Sequence, residues 1–267
     1  MLPLTNRWRF FPLNAYSAFE NMAIDESLFR EKVTNKKSPN SLRLYQWSPG
    51  AVSIGKHQDL TTEVDLKEAE KQSIDVVRRI SGGGAVFHDN LGEITYSIVA
   101  SVEQYNEYSE EELVIALLKG LQTGFSNLGL ETSYDKIHCP SLFIKGKKIS
   151  GNAQARHKDI IMQHGTILID YRPELMYSVL KARPNKPREK MIESVYAYVT
   201  TIKNELGAEF DPSIIADRIE QGFRISLNVD SWLEGILTKK ELELKNFYLE
   251  NRFANKKWLY EKQEINP

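Results

Sequence analysis

Residues Arg78-Arg79-Ile80-Ser81-Gly82-Gly83-Gly84-Ala85-Val86-Phe87-His88-Asp89 hold the densest chemistry of the sequence: a basic pair, a hydroxyl, three consecutive glycines, a histidine and a carboxylate. Glycine loses more backbone freedom on folding than any other residue. A glycine triplet therefore points to a bend that needs unusual dihedrals or close backbone approach to a ligand. Backbone N–H groups in such a bend can face phosphate or carboxylate oxygens, and Arg78 or Arg79 would add charge-assisted hydrogen bonds. A plain glycine-rich hairpin turn is the competing reading. The spacing matches neither the Gly-x-x-x-x-Gly-Lys-Ser/Thr loop nor the Gly-x-Gly-x-x-Gly loop, so the common nucleotide-binding turns are excluded.

A second cluster runs from Lys145 to Arg156. Lys145 and Lys147 flank a hairpin turn, where lysines are ordinarily solvated. Lys148 differs, because Ser150, Gly151, Asn152 and Ala153 beyond it are small or amide residues and leave room for an extended ligand against the strand. On this pattern Lys148 fits a functional charge and a solvated one equally well. In the third stretch, alternation puts Ile160, Met162, His164, Thr166 and Leu168 on one face. His164 is then either a satisfied core histidine or a pocket group. His88 carries the same ambiguity, and Asp89 could simply cap a turn. Cys139 is the only cysteine, which excludes an internal disulfide and paired-thiolate zinc sites but leaves a possible nucleophile. An ordinary small buried residue is the plainer reading of that thiol.

These groups must be positioned by the elements around them. Trp8–Phe11 reads as a strand, and Ser17-x-x-Glu20 opens a helix to about Lys32. Ser41–Trp47 and Ala51–Ile54, separated by Ser48-Pro49-Gly50, read as a hairpin. A short helix over Asp65–Gln72 precedes strands at Ile74–Ile80 and Ile94–Ala100. A second Ser-x-x-Glu box at Ser109 starts an amphipathic helix through Leu128, closed by Gly129. Leu142–Ile144 and Lys147–Ser150 form a hairpin about Gly146, and Asp159–Asp170 is long enough for a central strand. Helical patterns then cover Pro173–Lys181, Pro212–Ile225 and Thr238–Phe253. Lys181–Lys190, with two prolines and five basic residues, is a solvated connection or a lid over a bound anion. The expectation is an α+β fold with mixed or antiparallel sheets flanked by helices. It is one domain over residues 1–267, with residues 201–267 a mainly helical part.

With 267 residues, 41% hydrophobic and 27% charged, the chain can bury a full core and falls outside the disordered and fibrous classes. Its 35 basic and 36 acidic residues balance to a net charge of -1, so no global field would gather a nucleic acid. No run approaches about 18 apolar residues, and the opening Met-Leu-Pro-Leu-Thr-Asn-Arg-Trp lacks an export layout. A cytoplasmic protein without membrane partners is expected.

Taken together, the three stretches resemble the lipoate–protein ligase family, in the superfamily that also holds biotin ligases and octanoyl transferases. The glycine bend looks like the family's glycine loop, Lys147–Ala153 like its catalytic-lysine strand, and Gln163–Leu168 like its His-Gly-Thr strand. Weaker likeness at Ala18–Glu26, Ser53–Gln58, Leu237-Thr238 and Trp258 extends it over nearly the whole chain. The resemblance implies the biotin/lipoate ligase-like catalytic fold and a ligase that activates lipoate with ATP and Mg²⁺ to lipoyl-AMP. The acyl group would then pass to a lysine of a lipoyl-carrier domain, of the dehydrogenase-complex E2 or glycine cleavage H protein type. Lys148 would be catalytic, its ammonium between the carbonyl oxygen and the α-phosphate. Arg78, Arg79, Ser81, Gly82, Gly83 and Gly84 would bind the adenylate. Ala85, His88, Ser150, Gly151, Ala153 and His164 would complete the pocket, and Gly55 and Gln58 would bound the acyl tunnel.

Two departures matter. Pro140-Ser141 stands where many ligases carry Asn-Asp, which leaves metal ligands unassigned. The chain also stops soon after Trp258, without the C-terminal accessory domain of larger ligases, so either a separate small accessory subunit or an activity limited without one is expected. Two alternatives remain. One is an octanoyl or lipoyl transferase using Cys139 as a thioester nucleophile without ATP. Against it, the transferase cysteine falls several residues earlier, near Ser133, and the transferase loop tends toward Gly-Gly-Arg-Gly. The other is a lipoyl-carrier binding protein that has lost catalysis. A biotin ligase is disfavoured because its Gly-Arg-Gly-Arg loop is absent.

Overall fold

The structure is a computed structural model that describes residues 7–102, 110–135, 141–183 and 185–267. In chain order the first half runs β1 (Trp8–Tyr16), α1 (Ala18–Thr34), β2 (Asn40–Trp47), β3 (Ala51–Ile54), α2 (Leu60–Glu63), α3 (Leu66–Lys71), β4 (Asp75–Arg78), β5 (Val86–His88), β6 (Glu93–Ser101) and α4 (Glu110–Ser126). The second half runs β7 (Ser133–Asp135), β8 (Ser141–Ile144), β9 (Lys147–His157), β10 (Ile160–Leu168), α5 (Pro173–Val179), α6 (Arg188–Tyr198), α7 (Ile202–Leu206), α8 (Pro212–Ser226), β11 (Leu233–Glu234) and α9 (Lys239–Tyr248). Two single π-helical turns, Leu249–Phe253 and Lys257–Glu261, follow α9.

The strands form an eight-stranded sheet in the order β11-β1-β2-β6-β10-β9-β8-β7 and a three-stranded sheet in the order β4-β3-β5. Both are mixed: β1 pairs parallel with β2 and β3 with β4, whereas β2, β6, β10, β9 and β8 pair antiparallel in turn. The expected α+β class with mixed sheets and flanking helices is what the chain adopts. Alternation along β10 divides its residues as expected. Ile161 and Ile167 enter the core under α4 and α8, while Ile160 and Met162 face α1. The last helices do not stand apart. Phe223 and Ile219 of α8 join the core with Leu121 and Phe125 of α4, and Leu244 and Tyr248 of α9 pack with Met22 of α1.

Capping follows the sequence. Ser17 accepts from the Glu20 N–H, Asp65 from the Glu68 N–H, and Thr238 and Glu241 form a reciprocal capping box. The Ser109 box lies outside the described residues. Lys145 and Gly146 both take positive φ, the geometry a two-residue turn between β8 and β9 needs.

Two expectations are corrected. Ser41–Trp47 and Ala51–Ile54 are not a hairpin: β2 is paired on both sides, by β1 and β6, so it has no free edge for β3. The Ser48-Pro49-Gly50 turn hands the chain from one sheet to the other. The helix α6 was not legible, and its Arg188–Lys190 turn overlaps the segment read as a connection. None of its residues is fully buried, and Met191, Ile192 and Val195 make only a short, half-buried apolar stripe.

Candidate active site

A cavity of about 570 Å³ opens between the glycine bend, β9, β10 and the α5–α6 region, a size suited to a small ligand. Of the residues singled out in the sequence, Arg79, Gly83, Gly84, Ala85, His88, Lys148, Gly151, Ala153 and His164 line it. The bend and the lysine strand therefore meet on one space. A Cβ built on Gly83 would lie 3.9 Å from the Ala153 Cβ, and one on Gly151 would lie 2.8 Å from the Lys148 Nζ. Gly151 thus makes room for the lysine head, and Gly83, at φ +93°, holds a conformation that side chains rarely adopt.

A bulge aims Lys148. Leu142 pairs with Ser150 but the adjacent Phe143 pairs with Lys148, so Ile149 is an extra residue in β9. Ile149 drops into the main core, and the alternation restarts so that Lys148, Gly151 and Ala153 share the cavity wall. The same shift turns Ser150 into the interior, where it is fully buried and its hydroxyl has no partner among the described residues.

Along the cavity wall, two polar chains converge on one guanidinium. Arg79 donates from Nε to the Ser81 Oγ at 3.1 Å. From its terminal nitrogens it donates to the Ser53 carbonyl at 2.9 Å, the Ser53 Oγ at 3.1 Å, the Gly82 carbonyl at 2.8 Å and the Gly84 carbonyl at 2.7 Å. Ser81 Oγ lies 2.7 Å from His164 Nε2, and His164 Nδ1 lies 3.4 Å from Asp25. Ser53 Oγ lies 2.8 Å from His88 Nε2, and His88 Nδ1 lies 2.8 Å from Glu93, which also accepts from Thr95 at 2.7 Å. Trp47 stacks on the His88 ring at 3.9 Å and donates its indole N–H to Thr95.

Burial and nearby charge act on the Asp25–His164 chain. Burial holds the His164 imidazole below its ordinary value, against the pull of Asp25 in the other direction, so it sits neutral at pH 7. Burial alone would raise Asp25, but Arg43, paired with it, and His164 together hold its carboxyl below the usual carboxylate range. Tyr45 completes the Asp25 shell, donating its hydroxyl at 3.0 Å.

The remaining sequence candidates lie elsewhere. Arg78 is fully buried and spends its guanidinium on carbonyls, those of Gly55, Lys56 and Gln58 on one side and of Trp258 and Leu259 on the other. It ties the C-terminal turn to the strand and does not face the cavity. Gly55 and Gln58 are not among the residues that line the cavity: Gln58 accepts from the Gly55 N–H at 2.9 Å, and Gly55 backs directly onto the Gly83 carbonyl. Ser81 is fully buried and Gly82 half-buried, neither among the lining residues, and Cys139 lies outside the described residues. Sequence reasoning missed Asp25, Ser53, Glu93, Trp47 and Arg172. Arg172 clamps Asp89 at the cavity mouth through two hydrogen bonds of 2.6 Å. Among the described residues, no group of three or more His, Cys, Asp or Glu is placed to hold a metal ion, and no helix is long and apolar enough to cross a membrane.

The comparisons with known proteins fit this geometry. Octanoyltransferase LipM of Carboxydothermus hydrogenoformans is 35% identical, over 95% of this chain and 98% of its own. Octanoyltransferase LipM of Clostridioides difficile is 33% identical, over 94% of this chain and 99% of its own. In fold, the chain superposes with a TM-score of 0.84 on a bi-partite lipoate protein ligase from Thermoplasma acidophilum, at 24% identity over 97% of this chain and 98% of that one. A lipoate-protein ligase A bound with ATP gives 0.78 at 23% identity, over 94% of this chain and 98% of that one. The expectation of an ATP-dependent, adenylate-forming ligase is overturned by the octanoyltransferase relatives, and ATP and Mg²⁺ as cofactors go with it. The ligases share the scaffold at lower identity. Residues 17–224 match the lipoyl protein ligase A/B catalytic domain, and the chain belongs to that family.

Proposed function

We propose that this protein moves an octanoyl group from a thioester carrier to a lysine of a lipoyl-carrier domain, with Cys139 as nucleophile and without nucleotide. The observation that carries this reading is the identity of 33–35% over nearly the whole length of octanoyltransferases. The chain also holds a single thiol, Cys139, nine residues before Lys148. A thioester arrives already activated. Exchange between thioesters is nearly balanced and amide formation is downhill, so no leaving group has to be supplied by ATP.

In the first half-reaction the Cys139 thiolate attacks the thioester carbonyl and a bond from Sγ to carbon forms. The tetrahedral oxyanion collapses, the bond to the carrier sulfur breaks, and that sulfur takes up the proton Cys139 gave. In the second half-reaction the acceptor amine attacks the same carbon. The C–N bond forms, the C–Sγ bond breaks, and a proton from the amine restores the Cys139 thiol. Lys148 and the N–H groups of the bend stabilise the oxyanion in both halves; one such preorganised donor is worth about 3–4 kcal/mol. The apolar part of the cavity, with Met22, Trp47, Phe87, Leu168 and Met176, suits an eight-carbon chain.

The acceptor is a lipoyl domain of the dehydrogenase-complex E2 or glycine cleavage H type, which fits a cytoplasmic location. The test mixes the protein with an octanoyl-loaded phosphopantetheine carrier and an unmodified lipoyl domain, with no nucleotide present. Mass spectrometry should show one octanoyl group on the lipoyl domain, and Cys139→Ser should stop the transfer. Absence of transfer, or undiminished transfer by the variant, overturns the reading.

A further inference from the structure

Arg79 is a buried cation that the reaction above does not use. Its five N–H groups meet five acceptors: Ser81 Oγ, the Ser53 carbonyl and Oγ, and the carbonyls of Gly82 and Gly84. That set leaves no N–H for a ligand, in contrast to the adenylate-binding role expected from sequence. The two glycine carbonyls decide what it does instead. Across a trans peptide, a C=O and the following N–H point in opposite directions. Drawing the Gly82 and Gly84 carbonyls onto the guanidinium therefore turns the N–H groups of Gly83 and Ala85 away from it. Gly83, Gly84 and Ala85 line the cavity.

We propose that Arg79 is a positioning residue: it sets the peptide planes of the glycine bend so that the Gly83 and Ala85 N–H groups receive the acyl oxygen, and two buried carboxylate–histidine–serine chains hold it there. The hydrogen-bond roles run the same way in both chains. Because Arg79 donates into each serine Oγ, each serine hydroxyl proton is directed at a histidine Nε2, and each Nδ1–H is left to donate to a carboxylate. Asp25 and Glu93 thus fix the histidine tautomers, which fix the serines, which fix the guanidinium. Lysine cannot substitute, because its three donors diverge from one atom whereas the guanidinium reaches five acceptors from a planar fork. The inference rests on the thioester reading, since it assigns the bend to an acyl oxygen.

The test compares two octyl ligands. An octyl trifluoromethyl ketone is attacked by the Cys139 thiolate; a C–S bond forms, the carbonyl π pair moves to oxygen, and the adduct carries an oxyanion in the bend. An octyl pantetheine thioether fills the same cavity but has no carbonyl. Arg79→Lys is expected to weaken ketone binding at least about 100-fold, from the usual cost of a lost oxyanion donor, with less than twofold change for the thioether. Equal changes for both ligands, or unchanged ketone binding, overturn the proposal. If Arg79→Lys does not fold, Ser53→Ala and Ser81→Ala each remove one guanidinium acceptor and should show the same ketone-selective loss at about 3- to 10-fold; a loss shared by both ligands overturns it. Failure of the ketone to bind wild type, or equal binding to Cys139→Ser, identifies the thioester reading as the part that failed and takes the proposal down with it.

Discussion

Gly55→Ala is a single added methyl outside the cavity that should disable the protein through its effect on the bend. A Cβ at position 55 would lie 2.1 Å from the Gly83 carbonyl oxygen and 3.0 Å from its carbon. Both are backbone atoms, so no flexible side chain can absorb the clash. The bend must retreat by at least about 1 Å to reach an ordinary van der Waals separation. Misplacement of that size at a catalytic group costs roughly 10²-fold in rate. The overpacking itself costs about 1–3 kcal/mol, which a domain of this size survives. The assay is octanoyl transfer to a lipoyl domain followed by mass spectrometry, beside a thermal unfolding curve. The expected result is a folded protein with a modest drop in Tm and a fall of about two orders of magnitude in kcat/KM. A folded variant within twofold of wild-type activity would show that the position of the bend does not govern the reaction.

Three further outcomes follow from the geometry. Lys148→Ala should lower the rate by about 10²–10³ with the unfolding midpoint little changed, as expected for a charge that acts on the reacting carbonyl; near-normal turnover would remove the lysine from the mechanism. Asp25→Asn leaves the buried Arg43 guanidinium without its counter-charge and should cost about 3–5 kcal/mol in chemical denaturation, and a loss under about 1 kcal/mol would contradict the pairing. Because burial lowers the His164 pKa below its ordinary 6.5, the unfolded chain takes up that proton first as pH falls. This contribution to stability is therefore present above about pH 6.5 and is lost below it. A Tm that falls between neutral pH and about pH 5 in wild type, and falls less in His164→Asn, is expected; parallel slopes would refute the assignment.

The three stretches of the cavity wall were legible because each carries a local signal: a glycine triplet, a lysine followed by small residues, and a histidine on an alternating strand. What lies behind them was not. Ser53 is the one polar residue of a short buried strand, and Glu93 opens a strand that is buried along its whole length. Asp25 faces inward from a helix that also buries Asn21 and Glu26. The spacing of Asn21 and Asp25, four residues apart on the buried face of α1, was the one available hint. The bulge at Ile149 is invisible to any period count, yet it decides that Lys148 shares a wall with Gly151 and not with Ser150. The adjacent arginines looked interchangeable in sequence and differ in space, Arg78 tying down the C-terminal turn and Arg79 holding the bend. The choice between ligase and transferase was likewise not legible from the shared motifs, because one scaffold serves both chemistries.

The most direct measurement is the intact mass of the protein after brief mixing with an octanoyl-loaded carrier, with no acceptor and no nucleotide present. The account predicts one octanoyl group per chain, removable by hydroxylamine and mapping to the peptide that contains Cys139. An unmodified protein that nevertheless octanoylates an added lipoyl domain, or an octanoyl group on any other residue, would contradict it.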